Sequence, residues 1–86
     1  MRHATPVALD ALEPMLARLR AIDGLTERKR GVFYRGSRAF LHFHEDSAGF
    51  FADVRTGPEW ERLSVTTAAE RRGLLSVVRK ALKSPA

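Results

Sequence analysis

Between Ala39 and Arg55 the chain reads Ala-Phe-Leu-His-Phe-His-Glu-Asp-Ser-Ala-Gly-Phe-Phe-Ala-Asp-Val-Arg. Apolar and polar residues alternate on both sides of an acidic turn. A period of two belongs to β-strands, whose successive side chains face opposite ways. Asp46-Ser47-Ala48-Gly49 carries the residue types of a turn. Pairing Glu45 with Phe50 sets Phe43 opposite Ala52, Leu41 opposite Val54 and His42 opposite Asp53. One face of the ribbon is then wholly apolar. A slip of one residue sends Asp53 to the apolar side, so this register is the expected one.

The flanking segments extend the ribbon. Gly31-Val-Phe-Tyr-Arg35 is strand-like. Arg35-Gly36-Ser37-Arg38 reads as a two-residue hairpin, with Gly36 supplying the positive φ of a type II′ turn. Regular pairing from Arg35 and Arg38 assigns Val32, Tyr34, Ala39, Leu41 and Phe43 to one face. It assigns Phe33, Arg35, Arg38, Phe40, His42 and His44 to the other. After a turn at Thr56-Gly57-Pro58-Glu59, Trp60–Val65 is read as a fourth strand with Leu63 and Val65 inward.

Helical spacing marks both ends of the chain. Leu9, Leu12, Leu16, Leu19 and Ile22 form a stripe, with Met15 as core filler. Thr5-Pro6 offers one N-cap, and Asp10 with Glu13 a second. A proline inside a helix removes a hydrogen bond and clashes with the carbonyl four residues back. Pro14 therefore predicts a kink near Asp10, or a helix that starts only near Leu12. The helix is expected to end at Asp23-Gly24, and residues 1–5 to be loose. Thr67-Ala-Ala-Glu70 is a capping box. It opens a helix to about Leu82 with Leu74, Leu75, Val78 and Leu82 buried, stopped by Ser84-Pro85. The expected fold is α+β, in the order α-β-β-β-(β)-α. It is a three- to four-stranded antiparallel meander with an N-terminal and a C-terminal helix, one domain over residues 1–86 with its ordered core over about 8–83.

Composition narrows the function classes. The chain has 86 residues, net charge +5 and no cysteine. Thiolate chemistry is excluded, and a metal site has only His, Asp and Glu to draw on. No apolar run reaches the roughly 18–20 residues that span a bilayer, and Asp10 interrupts the N-terminal run too early for a signal peptide. The expected address is the cytoplasm, with no membrane partner. Arg outnumbers Lys twelve to three, and a basic domain permits contact with nucleic acid.

Leu25-Thr26-Glu27-Arg28-Lys29-Arg30-Gly31, Phe33-Tyr34-Arg35, Phe40 to Asp46 and Ala52-Asp53-Val54-Arg55 together resemble a small conserved family of uncharacterised proteins from mycobacteria and related actinobacteria. The resemblance spans roughly Leu12 to Leu82. It implies a shared fold and brings no established activity. The His-x-His-x-Asp run, Ala52-Asp53-Val54 and Trp60 before an amphipathic helix are also similar to the luciferase-like domain of unknown function. The long insert of those domains is absent here, and no site residue is transferred from them.

Three constellations carry chemistry. His42 and His44, two apart on a strand, share a face, and Asp53 joins them across the ribbon. Two imidazoles and a carboxylate suit a transition metal. The same His–Asp pair would serve as a general base, but no nucleophile, phosphate loop or dinucleotide fingerprint accompanies it. The reading therefore leans away from an enzyme and calls for no cofactor. Arg28, Lys29, Arg30, Arg35 and Arg38 beside aromatic residues are a candidate nucleic-acid or anion contact. Phe33, Phe40 and Phe51 form a candidate aromatic patch, exposed if both helices cover the other face, and a surface for a symmetric homodimer. The functional expectation is a small non-enzymatic binding or interaction module, with nucleic-acid binding and a His/Asp metal site as alternatives. Trp60 is expected in the core or packed on the hairpin.

Overall fold

The computed structural model describes residues 1–84. Two helices lie on one antiparallel sheet. The elements are β1 (Arg2–His3), α1 (Pro6–Arg20), β2 (Thr26–Lys29), β3 (Val32–Arg35), β4 (Arg38–Asp46), β5 (Gly49–Arg55), β6 (Trp60–Ser64) and α2 (Ala68–Leu82). The sheet order is β2-β3-β4-β5-β6, with β1 also paired to β4. Five strands thus form the main path, where three or four were expected, and a sixth short one joins it.

The central hairpin has the register that its alternation requires. Leu41 faces Val54, His42 faces Asp53, Phe43 faces Ala52 and Glu45 faces Phe50. Gly36 has φ +61° and Arg35 pairs with Arg38, the geometry of the expected two-residue turn. Gly49, at φ +138°, admits no side chain: a Cβ there would stand 2.2 Å from Thr66 Oγ1. That hydroxyl in turn takes the Phe50 N–H at 3.0 Å, so the close approach stitches β5 to the segment entering α2.

Four expectations fail, each for a local reason. First, β3 and β4 are not in plain register. Tyr34 pairs with Ala39, but Phe33 pairs with Leu41, so Phe40 is an extra residue in a β-bulge. The bulge turns Phe33 and Phe40 toward the helices, and both are buried in the core. Alternation then assigns Val32 and Tyr34 to the face opposite Phe33. Second, Thr26–Lys29 is an edge strand that the expected element order lacks. Its charged sequence suits a sheet edge, which charge protects from pairing with other chains. Third, Arg2 and His3 pair with Glu45 and His44, so the first residues are not loose. Fourth, a start near Leu12 does not occur: α1 begins at Pro6 behind Thr5, the first of the two expected caps, and runs through Pro14 to Arg20. Asp10 and Pro14 are both exposed, so the carbonyl that Pro14 leaves unpaired lies on the solvent side of the helix. The helix stops before Gly24, whose φ of +97° serves the following turn.

Both helices pack on the same face of the sheet. Leu12, Leu16 and Leu19 from α1 and Leu74 and Val78 from α2 meet Leu41, Phe43, Ala52 and Val54 in one cluster. Each such side chain removed from water contributes about 1.5–3 kcal/mol, offset by the entropy of ordering it. The capping box at Thr67 and Glu70 forms as expected, and Leu74, Leu75 and Val78 are buried with Leu82 partly so. Val65 is buried and Leu63 packs against the core. Pro85, expected to stop α2, lies outside the described residues. No helix among the described residues is long and apolar enough to cross a membrane.

Candidate metal centre

With both helices on one side, the other side of the sheet is left to its own side chains. Cross-strand partners share a face. His42 and His44 on β4 therefore stand with Asp53 and Phe51 on β5, and these with Arg62 and Ser64 on β6. The pairing of His3 with His44 brings a third imidazole to the same place. One ring nitrogen from each of His3, His42 and His44 lies within 4.8 Å of the other two.

Asp53 lies beside two members of this group. Its Oδ2 is 3.0 Å from His44 Nε2 and 3.9 Å from His42 Nε2. Arg62 clamps the carboxylate from β6, with Nε 2.7 Å from Oδ1 and Nη2 2.9 Å from Oδ2. That bidentate hydrogen bond, followed by the nearby charges, holds the Asp53 carboxyl below the usual carboxylate range. Burial and the neighbouring His44 push the His42 imidazole below its ordinary value, which favours the neutral ring with a free lone pair.

His44 is the most telling member. Its Nε2 is fully buried and makes no hydrogen bond. The 3.0 Å approach to Asp53 is within ion-pair distance but off the line a hydrogen bond requires. A buried ring nitrogen that faces a carboxylate oxygen without a hydrogen bond to it offers a lone pair to a metal ion. The ring planes stay close: His3 and His44 stack with centroids 4.7 Å apart, and His42 meets His44 edge-on at 4.8 Å. Trp60 closes the other side, edge-on to His42 at 5.0 Å and beneath the Arg55 guanidinium at 4.5 Å.

Tetrahedral zinc with bonds of about 2.0–2.1 Å sets its ligand atoms about 3.3 Å apart. The two carboxylate-to-imidazole distances bracket that value. The imidazole nitrogens, within 4.8 Å of one another, would have to draw closer to reach it, and His3 is the exposed member of the trio. Three imidazoles and one carboxylate oxygen make a complete tetrahedral donor set.

The other candidates are placed differently. Arg35 reaches across the core and donates to the carbonyls of Ala81, Leu82 and Ser84, at the negative end of α2. Arg28 lies 4.1 Å over the Tyr34 ring and donates to the Gly36 carbonyl. Arg30 pairs with Asp10 and Glu13. Among the described residues, only Lys29 and Arg38 of the five basic candidates make no hydrogen bond or ion pair. The basic hairpin is therefore largely absorbed by the fold. The aromatic patch is not assembled either: Phe33 and Phe40 are in the core, and Phe51 alone remains on the histidine face. Trp60 is 40% exposed and belongs to the histidine face, not to the core.

The sequence reading missed His3 and Arg62. A two-residue strand has no periodicity to read. Arg62 was legible in principle: pairing Arg55 with Trp60 across the Gly57-Pro58 turn sets Arg62 opposite Asp53, as observed. No family model, curated protein or solved structure matches this chain.

Proposed function

We propose that this protein is a small non-enzymatic metal-binding module, in which His3, His42, His44 and Asp53 hold one divalent transition-metal ion on the helix-free face of the sheet. The observation that carries the reading is the buried His44 Nε2, which makes no hydrogen bond and lies 3.0 Å from the Asp53 carboxylate, with a ring nitrogen of His3 and of His42 close by. Nitrogen-rich sites without sulfur suit zinc, nickel, cobalt or copper(II) better than calcium or magnesium. Four protein donors fill a tetrahedron and leave no open position for substrate, which supports binding over catalysis. Arg62 fixes the carboxylate, in the way that outer hydrogen bonds fix metal ligands generally.

Calorimetric titration with zinc at neutral pH tests this. The expected result is one ion per chain, with affinity reduced roughly 100-fold or more in His44→Ala, beyond the range typical of an outer-shell partner. Binding should weaken toward pH 5, as protons compete for imidazole. Absence of binding, or an unchanged affinity in His44→Ala, removes the reading.

A further inference from the structure

The helix layer, on the far side of the sheet from the histidines, presents a seam between α1 and α2. Two hollows of about 270 and 390 Å³ lie along it and meet at Arg18. Met15, Leu75, Ile22 and Leu82 line its floor. Arg18 from α1 and Arg72, Arg79 and Lys83 from α2 line its walls. The three α2 cations are spaced by seven and four residues, which puts them on one side of a helix over about 16 Å. Among the described residues these four side chains are exposed and make no hydrogen bond or ion pair.

Most acidic side chains outside the seam are already engaged. Glu13 and Glu27 are taken by Arg20, Asp10 by Arg30, and Asp53 by Arg62. Glu45 accepts from Thr5, and Glu70 is held in the α2 cap. Asp23 is the one acidic residue lining the seam. Four unpaired cations against one carboxylate leave this groove net positive.

We propose that this seam binds the phosphate backbone of a nucleic acid. Arginine forks suit phosphate oxygens bidentately, and a row of them along a groove fits an extended polyanion. An anionic membrane is the weaker match. Membrane-surface helices insert large apolar side chains beside their cations, whereas the exposed large apolar residues here are Met1, Val7 and Trp60, none of them in the seam.

Fluorescence polarisation of a labelled single-stranded oligonucleotide tests the assignment. Four phosphate contacts predict a log–log salt slope of about −3, which is roughly a fifty-fold loss of affinity between about 50 and 200 mM salt. The double variant Arg72→Glu/Arg79→Glu should lose at least about tenfold in affinity and roughly half of that slope. Lys29→Glu/Arg38→Glu, on the first hairpin, should change affinity less than about twofold. Circular dichroism confirms that each variant is folded. No binding at low salt, equal damage by the hairpin variant, or partition onto phosphatidylserine vesicles without oligonucleotide binding overturns the proposal.

Discussion

Asp53 shows how one residue sets the character of a whole face. Its position on β5 is fixed by register, because the apolar neighbours Ala52 and Val54 must face the helices. That forces a carboxylate between two imidazoles, and Arg62 on the next strand answers its charge. Asp53→Asn removes the charge from a buried acceptor while Arg62, half-exposed, returns to water. Urea denaturation at pH 7 should show a loss of about 1–2 kcal/mol. A variant as stable as the parent would mean that the clamp contributes nothing. Phe40 marks where residue-level reading fails. Strict alternation puts it beside His42, yet one extra residue in β4 turns it and Phe33 inward. A bulge has no signature in a short run of apolar residues, and only the packing of Phe33 under the helices selects it.

At the scale of elements, local chemistry was most legible where side chains satisfy backbone groups. The Thr67–Glu70 box starts α2 as its sequence indicates, and Glu70 Oε1 also accepts from Ser64 Oγ and from the Thr66 and Thr67 amides. The Thr67 amide first, then the other donors, holds the Glu70 carboxyl below its ordinary value. A lowered folded value means that stabilisation is present above the unfolded value of about 4.3 and disappears as pH falls through the folded one. Glu70→Gln should therefore melt below the parent at pH 7, with the gap closing toward pH 2. A gap that persists at low pH would assign the effect to shape and not to charge. For α1 the Thr5-Pro6 cap was legible, and the alternative start near Leu12 gave Pro14 too much weight as a breaker. Proline costs most where its freed carbonyl is buried, and on the solvent side the Thr5 cap and the Leu12–Leu19 stripe prevail. β2 was missed because a charged edge strand carries no apolar alternation.

The whole molecule follows from one asymmetry. Two helices share a single face of the sheet, so the other face is built from the sheet's own side chains and solvent. Alternation in the central hairpin made His42, His44 and Asp53 legible as neighbours. What was not legible is the company they keep, because His3 arrives through a two-residue strand and Arg62 through the register of β6. The helix side carries its own row of unpaired cations along the seam between α1 and α2. The most direct test of the histidine face is anomalous scattering at the zinc edge from crystals grown with zinc. We expect one strong peak per chain, about 2.0–2.2 Å from a ring nitrogen of each of His3, His42 and His44 and from an oxygen of Asp53. A peak elsewhere on the chain, or none near these four residues, would contradict the account.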